Sequence, residues 1–128
     1  MNDSKLIKSF RDLDVYQNSY KAMLIVHKEI LPKLPDHEKF DLKDQLSRST
    51  KAIPRLIAEG YGKRHQKAGF QKYLDDAMGE CNETVVGLEQ CKDIYGIDTQ
   101  DLIKIYDING RQLYKLREAW NNFKTQRT

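Results

Sequence analysis

Apolar residues recur along this chain at three- and four-residue intervals in four separate stretches, and no stretch alternates with period two over a useful length. That pattern predicts an all-α protein. The first helix is expected to start after Asp12, acting as N-cap, and to run to about Leu31. Its inward stripe is Leu13, Tyr16, Tyr20, Met23, Leu24, His27, Ile30 and Leu31, with Pro32 and Pro35 as the stop. A short polar join follows, with Phe40 as its anchor. The second helix spans Leu42 to Tyr61, with Leu42, Leu46, Ser49, Ile53 and Ile57 inward and Gly60 and Gly62 ending it. Pro54 lies inside it and should kink it, since a helix-interior proline costs roughly 3 kcal/mol.

The third helix spans about Gln66 to Tyr95 and carries Phe70, Tyr73, Leu74, Ala77, Met78, Cys81, Val85, Leu88, Cys91 and Tyr95 on its stripe. Gly69, Gly79 and Gly87 inside it are expected to permit close helix approach, and Gly96 is the natural terminator. Asp98 caps the fourth helix, in which Leu102, Tyr106, Asn109, Leu113, Leu116, Trp120 and Phe123 repeat before a frayed tail. Short joins between four amphipathic helices imply an antiparallel up-down-up-down four-helix bundle. Val15, Ala22, Ile25, Val26, Leu56, Ile103 and Ile108 fall off the main stripes. A second apolar face of this kind implies burial against another subunit.

Length and composition narrow the class. A chain of 128 residues with 32% charged and 39% hydrophobic positions reads as one compact domain, residues 1–128. No apolar run approaches the ~20 residues of a membrane span, and MNDSKLIKSF has no apolar core of a signal peptide, so a cytoplasmic protein is expected. Cys81 and Cys91 are ten positions apart on one helix, about 15 Å, too far for a disulfide, and read as buried thiols.

The net charge of +3 is small, but its distribution is uneven. Basic residues exceed acidic ones over 41–64 and 99–128, and the sign reverses over 65–98. Arg48, Lys51 and Arg55 share one side of the second helix, and Lys63, Arg64 and Lys67 follow its end. Six cations within twenty residues suit phosphate, with Tyr61 beside them to stack on a base and N–H groups near Gly60 and Gly62 free for an anion. A solvated or salt-bridged helix face explains the same residues.

Catalytic patterns are missing. His27, His37 and His65 are scattered; there is no H-E-x-x-H, P-loop or C-x-x-C, and no E-x-x-H pair of a di-metal bundle. Asp75, Asp76, Glu80 and Glu83 read as a solvated acidic face or a partner for basic helices. No enzyme activity, metal or cofactor is expected.

The segment QLSRSTKAIPRLIAEGYGKR resembles the signature of the four-helix bundle proteins encoded by intervening sequences of bacterial 23S ribosomal RNA genes. There the stretch reads close to Q-L-x-R-A-x-x-S-I-P-x-N-I-A-E-G-x-G-R. Gln45, Leu46, Arg48, Ile53, Pro54, Ile57, Ala58, Glu59, Gly60 and Gly62 match, and so do Gly79 and Glu83 of A-M-G-E-C-N-E-T. FRDLDVYQ, from Phe10 to Gln17, is similar to the opening F-x-x-L-x-V-W-x. Leu56 stands at the usual Asn, Ala52 at the usual Ser and Glu80 where Ser is common.

The resemblance implies a bundle assembling as a ring, commonly a pentamer, with no established activity. More distantly it extends to the pentameric, nucleic-acid-binding accessory variability proteins of diversity-generating retroelements. Pro54, Glu59, Gly60, Gly62 and Glu83 then read as structural or interface positions. Glu59 and Arg48 are about 16 Å apart along one helix, so each is expected to find its partner on a neighbouring helix or subunit. Two functions are consistent with this: a homo-oligomer that binds RNA or DNA through its basic stripe, or a homo-oligomeric scaffold for a protein partner.

Overall fold

The computed structural model describes residues 6–127, with side chains from Leu6 to Trp120. Among these residues are four α-helices and no strand: α1 (Asp14–Ile25), α2 (Leu42–Gly62), α3 (Gly69–Tyr95) and α4 (Gln100–Arg127). Phe123, the last position of the expected α4 stripe, has its side chain outside the described residues, and the backbone expected to fray is helical to Arg127.

The start of α1 corrects one expectation. Asp12 caps a separate turn. Its Oδ2 accepts from the N–H groups of Lys8 (2.8 Å) and Ser9 (3.0 Å), while Ser9 Oγ accepts from Arg11 N–H (2.9 Å). This capping box closes a 3-10 turn over Phe10–Asp12, and extended Leu13 separates it from α1.

The inward face of α1 is a second correction. Val15, Ser19 and Ala22 are buried, in line with Val26 and Ile30, whereas Tyr20 and Leu24 of the expected stripe are exposed. The two stripes have the same period, so spacing could not choose between them. Packing density chose the small residues, which let α1 sit closer to its neighbours. Beyond Ile25 the rod continues through a π-turn, Val26–Ile30, and a 3-10 turn, Leu31–Lys33. Pro32 therefore does not stop it: it lies in the first turn of the 3-10 piece, where its missing N–H is least needed. Phe40 is 87% exposed and anchors nothing; Leu34 and Leu42 are the buried residues on either side of the join.

α2 is continuous through Pro54, which is buried, so packing offsets the lost hydrogen bond. It also runs through Gly60, which does not end it. A Cβ on Gly60 would lie 2.6 Å from Tyr73 Cβ, and one on Gly87 would lie 2.7 Å from Leu46 Cδ2. These two glycines set how closely α2 and α3 approach. Gly79 was expected to act similarly but has nothing within 4 Å of its Cβ position. Gly69 would meet the Lys63 carbonyl, and α3 begins there rather than at Gln66, after tight turns over 63–68 with Ala68 at φ 55°.

Between the two helices, Thr84 Oγ1 donates to Ser49 Oγ at 2.8 Å, fully inside the core. Leu46 meets Gly87, Ser49 meets Thr84 and Gly60 meets Tyr73, so residue numbers fall on α3 as they rise on α2. The α3–α4 contacts run the same way: Thr99 Oγ1 donates to the Leu88 carbonyl (2.7 Å), and Arg117 Nε to Asp75 Oδ1 (2.6 Å). Gly96, at φ 68°, terminates α3 as expected. Asp98 reaches the Gln100 N–H only at 3.4 Å. Leu102, Tyr106, Asn109 and Leu113 are buried as expected; Ile103 joins them in the core, while Ile108 stays exposed.

Gly60→Ala is expected to cost about 1–3 kcal/mol, because a Cβ–Cβ clash cannot be relieved by rotating a side chain. Gly110→Ala, with open space at its Cβ, is expected to gain up to ~1 kcal/mol. Urea denaturation of the two variants checks the pair, and equal midpoints would contradict it.

Candidate nucleic-acid interface

The expected basic residues divide into two groups. Arg48, Lys51 and Arg55 are exposed along α2. Arg48 Nε lies 3.4 Å from Asp44 Oδ2, one turn earlier on the same helix. Across the α2–α3 seam stands Glu80, whose carboxyl is pushed up by burial first and by Glu83 next, with Arg48 close enough to oppose the shift. Asp76 adds to the rise. The Arg48 end of the stripe therefore lies in a field of mixed sign.

The second group forms a corner at the end of α2. Lys63 Nζ donates to Tyr73 Oη at 2.7 Å and lies 3.5 Å from Glu59 Oε2, contacts that push the ammonium pKa upward, Tyr73 contributing most. The Arg64 guanidinium covers the Tyr61 ring at 4.0 Å, and its Nη1 donates to the Tyr61 carbonyl at 2.8 Å. Lys67 and His65 are exposed on the turns that follow. From Gly60 to Leu74 the chain contains no carboxylate, while Lys63, Arg64, Lys67 and Lys72 all fall within it. Lys72 was not part of the sequence pattern; its Nζ lies 5.9 Å from the Tyr73 ring, over which Lys63 Nζ also stands at 5.0 Å.

Three expectations about this region are corrected. Tyr61 is 8% exposed and packs edge-on against Phe70 (5.9 Å) and Trp120 (6.5 Å), so it is not a stacking platform for a base. Gly60 and Gly62 lie inside α2, and the next N–H groups are taken as well: Lys63 bonds Gly60 O and Arg64 bonds Tyr61 O. No loose nest of donors results. Glu59 finds its partner four residues on, at Lys63 just past the end of α2, rather than on a neighbour, while Arg48 has Asp44 on its own helix and, as expected, a second partner on a neighbouring helix, Glu80. The i,i+4 spacing supplies such a pair before any tertiary contact is needed. Glu83 is exposed.

Other titratable groups tie the helices to one another. His27 Nε2 lies 3.2 Å from Thr50 Oγ1, joining α1 to α2, and its pKa is lowered by burial first and then by Lys51. Tyr95 Oη donates to Glu38 Oε2 and lies 3.1 Å from His37 Nε2. Glu38 Oε1 also accepts the Leu42 N–H at 3.1 Å, so one carboxylate ties the start of α2 to the end of α3. This cluster was not foreseen, since its members are nearly sixty positions apart. Cys81 and Cys91 are buried free thiols, pushed up to about 12 and about 11 by burial. Among the described residues no group of His, Cys, Asp and Glu could hold a metal ion. No helix there is long and apolar enough to cross a membrane.

Four helices around one core, with a basic corner whose one carboxylate contact is Glu59 on Lys63, define a helical bundle protein. Residues 11–117 match the family of the 23S rRNA-intervening sequence protein, and the chain belongs to that family. No curated protein matches it.

The lowered His27 pKa has a definite sign. The fold favours the neutral ring, so this stability is present above pH ~6.5 and lost as the pH falls below it. The melting temperature is expected to fall between pH 7 and pH 5.5, and His27→Gln to flatten that part of the profile. An unchanged slope in the variant would assign it elsewhere. A thiol reagent at pH 8 is expected to modify both cysteines at the rate of unfolding and not faster. Rapid labelling of native protein would contradict their burial.

Proposed function

We propose that the protein is a non-catalytic, self-assembling bundle that binds RNA or DNA through the basic corner of Lys63, Arg64 and Lys67, with Lys72 beside it and Arg55 and Lys51 leading to it along α2. The observation that carries this reading is the stretch from Gly60 to Leu74, which holds four cations and no carboxylate. Each phosphate neutralised there releases counterions, and a polyanion needs no deep pocket. Arg48 takes little part, since Asp44 and Glu80 already face it.

The helices are read as an antiparallel up-down-up-down bundle, supported by the inverse numbering of the α2–α3 and α3–α4 contacts. Copies are read as a ring, with five favoured by the family resemblance. Exposed Tyr20, Leu24 and Ile108 support burial against a second chain. A ring repeats the corner and converts weak contacts into avidity wherever one nucleic acid spans several of them. A cytoplasmic location accords with two buried thiols and with helices too polar to span a bilayer.

Binding is expected at ~50 mM salt without sequence preference, and to weaken by orders of magnitude at ~200 mM. The triple substitution Arg55→Glu, Lys63→Glu, Lys67→Glu is expected to abolish it with the helical circular dichroism retained, while Arg48→Glu changes it little. Absence of binding by the unaltered protein at low salt would overturn the reading in favour of a scaffold for a protein partner.

A further inference from the structure

The seam between α1 and α4 contains an unmet requirement. Asn109 is completely buried, and neither its Oδ1 nor its Nδ2 has a hydrogen-bond partner. A buried amide left unpaired costs about 1–3 kcal/mol for each unsatisfied group. Asn109 lines a groove of about 320 Å³ with Asn18, Lys21, Ala22, Ile25, Ile105 and Ile108. A long hydrogen bond from Asn18 Nδ2 to Gln112 Oε1, 3.3 Å, spans the same seam. The groove is apolar with a basic rim. Lys21 lines it, Lys28 stands one turn beyond Ile25, and Lys104 and Arg111 lie one turn to either side of Ile108, against Asp101 and Glu29.

Elsewhere the chain carries a surface of complementary form. The outer row of α3, opposite its core face, is Asp75, Gly79, Asn82, Glu83, Val86, Gln90 and Asp93, all exposed. It is acidic, with one apolar projection, Val86, at 51% exposure. Gly79 lies at its middle, inside a helix where glycine costs up to ~1 kcal/mol against alanine, and among the described residues nothing lies within 4 Å of its Cβ position. A glycine with no neighbour of its own suits the close approach of another backbone.

We infer that the α1–α4 groove of one copy receives the outer α3 ridge of a second copy. Val86 enters among Ile25, Ile105 and Ile108, over the buried Asn109 on the floor of the groove. Glu83 and Asp93 face the lysines of the rim. Groove and ridge are different surfaces, so the contact is heterologous and repeats from copy to copy, closing a ring where the rotation allows. The inference rests on the self-assembly reading above and names the two faces it uses.

The test begins with the mass of the unaltered protein by light scattering. A monomer at micromolar concentration would overturn self-assembly altogether. Given an oligomer, Lys21→Glu with Lys104→Glu, and separately Glu83→Lys with Asp93→Lys, are each expected to shift it to monomer. An equimolar mixture of the two is expected to regain oligomers in which the variants alternate, because intact groove meets intact ridge at one junction and reversed groove meets reversed ridge at the next. Val86→Cys and Ile108→Cys, on separate copies, are expected to form an intersubunit disulfide on oxidation, with Cys81 and Cys91 buried and silent. An oligomer that survives both charge reversals, or forms no such cross-link, would overturn these faces while leaving self-assembly intact.

Discussion

The close approach of α2 and α3 is the constraint on which the other contacts depend. Gly60 and Gly87 remove side chains at the two points where the helices are nearest, and the Ser49–Thr84 hydroxyl pair fills the space between. With that distance fixed, Phe70, Leu74 and Ile57 are fully buried in the core, and Pro54 is buried in an unbroken helix. The same approach places Glu80, with Asp76 and Glu83 around it, opposite Arg48, which limits where a polyanion can sit. Hydrophobic packing and surface electrostatics are thus linked through two missing methyl groups.

The corner beyond Gly60 escapes that cancellation for a local reason. The chain leaves α2, turns over six residues through left-handed Ala68, and enters α3 without an acidic residue in its first turn. The negative ridge of α3 begins only at Asp75. Arg64 spends part of its capacity on Tyr61, and Lys63 on Tyr73 and Glu59, so the corner is held in place by the same cations that give it its sign. An ordered patch loses less entropy on binding than a set of free side chains.

Helix number, the Gly96 terminator and the buried stripe of α4 were legible in the sequence, because each depends on local spacing or local backbone conformation. The inward face of α1 was not legible. Two apolar stripes of equal period competed there, and the size of Ser19 and Ala22 against Tyr20 and Leu24 decided between them only once neighbours were present. The basic residues were found by composition, but their division into a mixed flank and a positive corner required the register of α3. Tyr61 looked available and is buried. Asn109 was legible as a core position, whereas its lack of a partner appears only when every donor and acceptor around it has been placed.

The π-turn at Val26–Ile30 bears on how the chain can change in length. Such a turn holds one residue more than a regular α-turn, while the helix on either side keeps its facing. Loss of a single residue inside it would yield an ordinary helix with Ala22 and Leu31 still directed at the core. The same loss elsewhere in α1 would rotate everything downstream by about 100° and bury the wrong stripe. Within the first helical rod, the geometry therefore accommodates loss of one residue at this turn, next to the contact between His27 and Thr50.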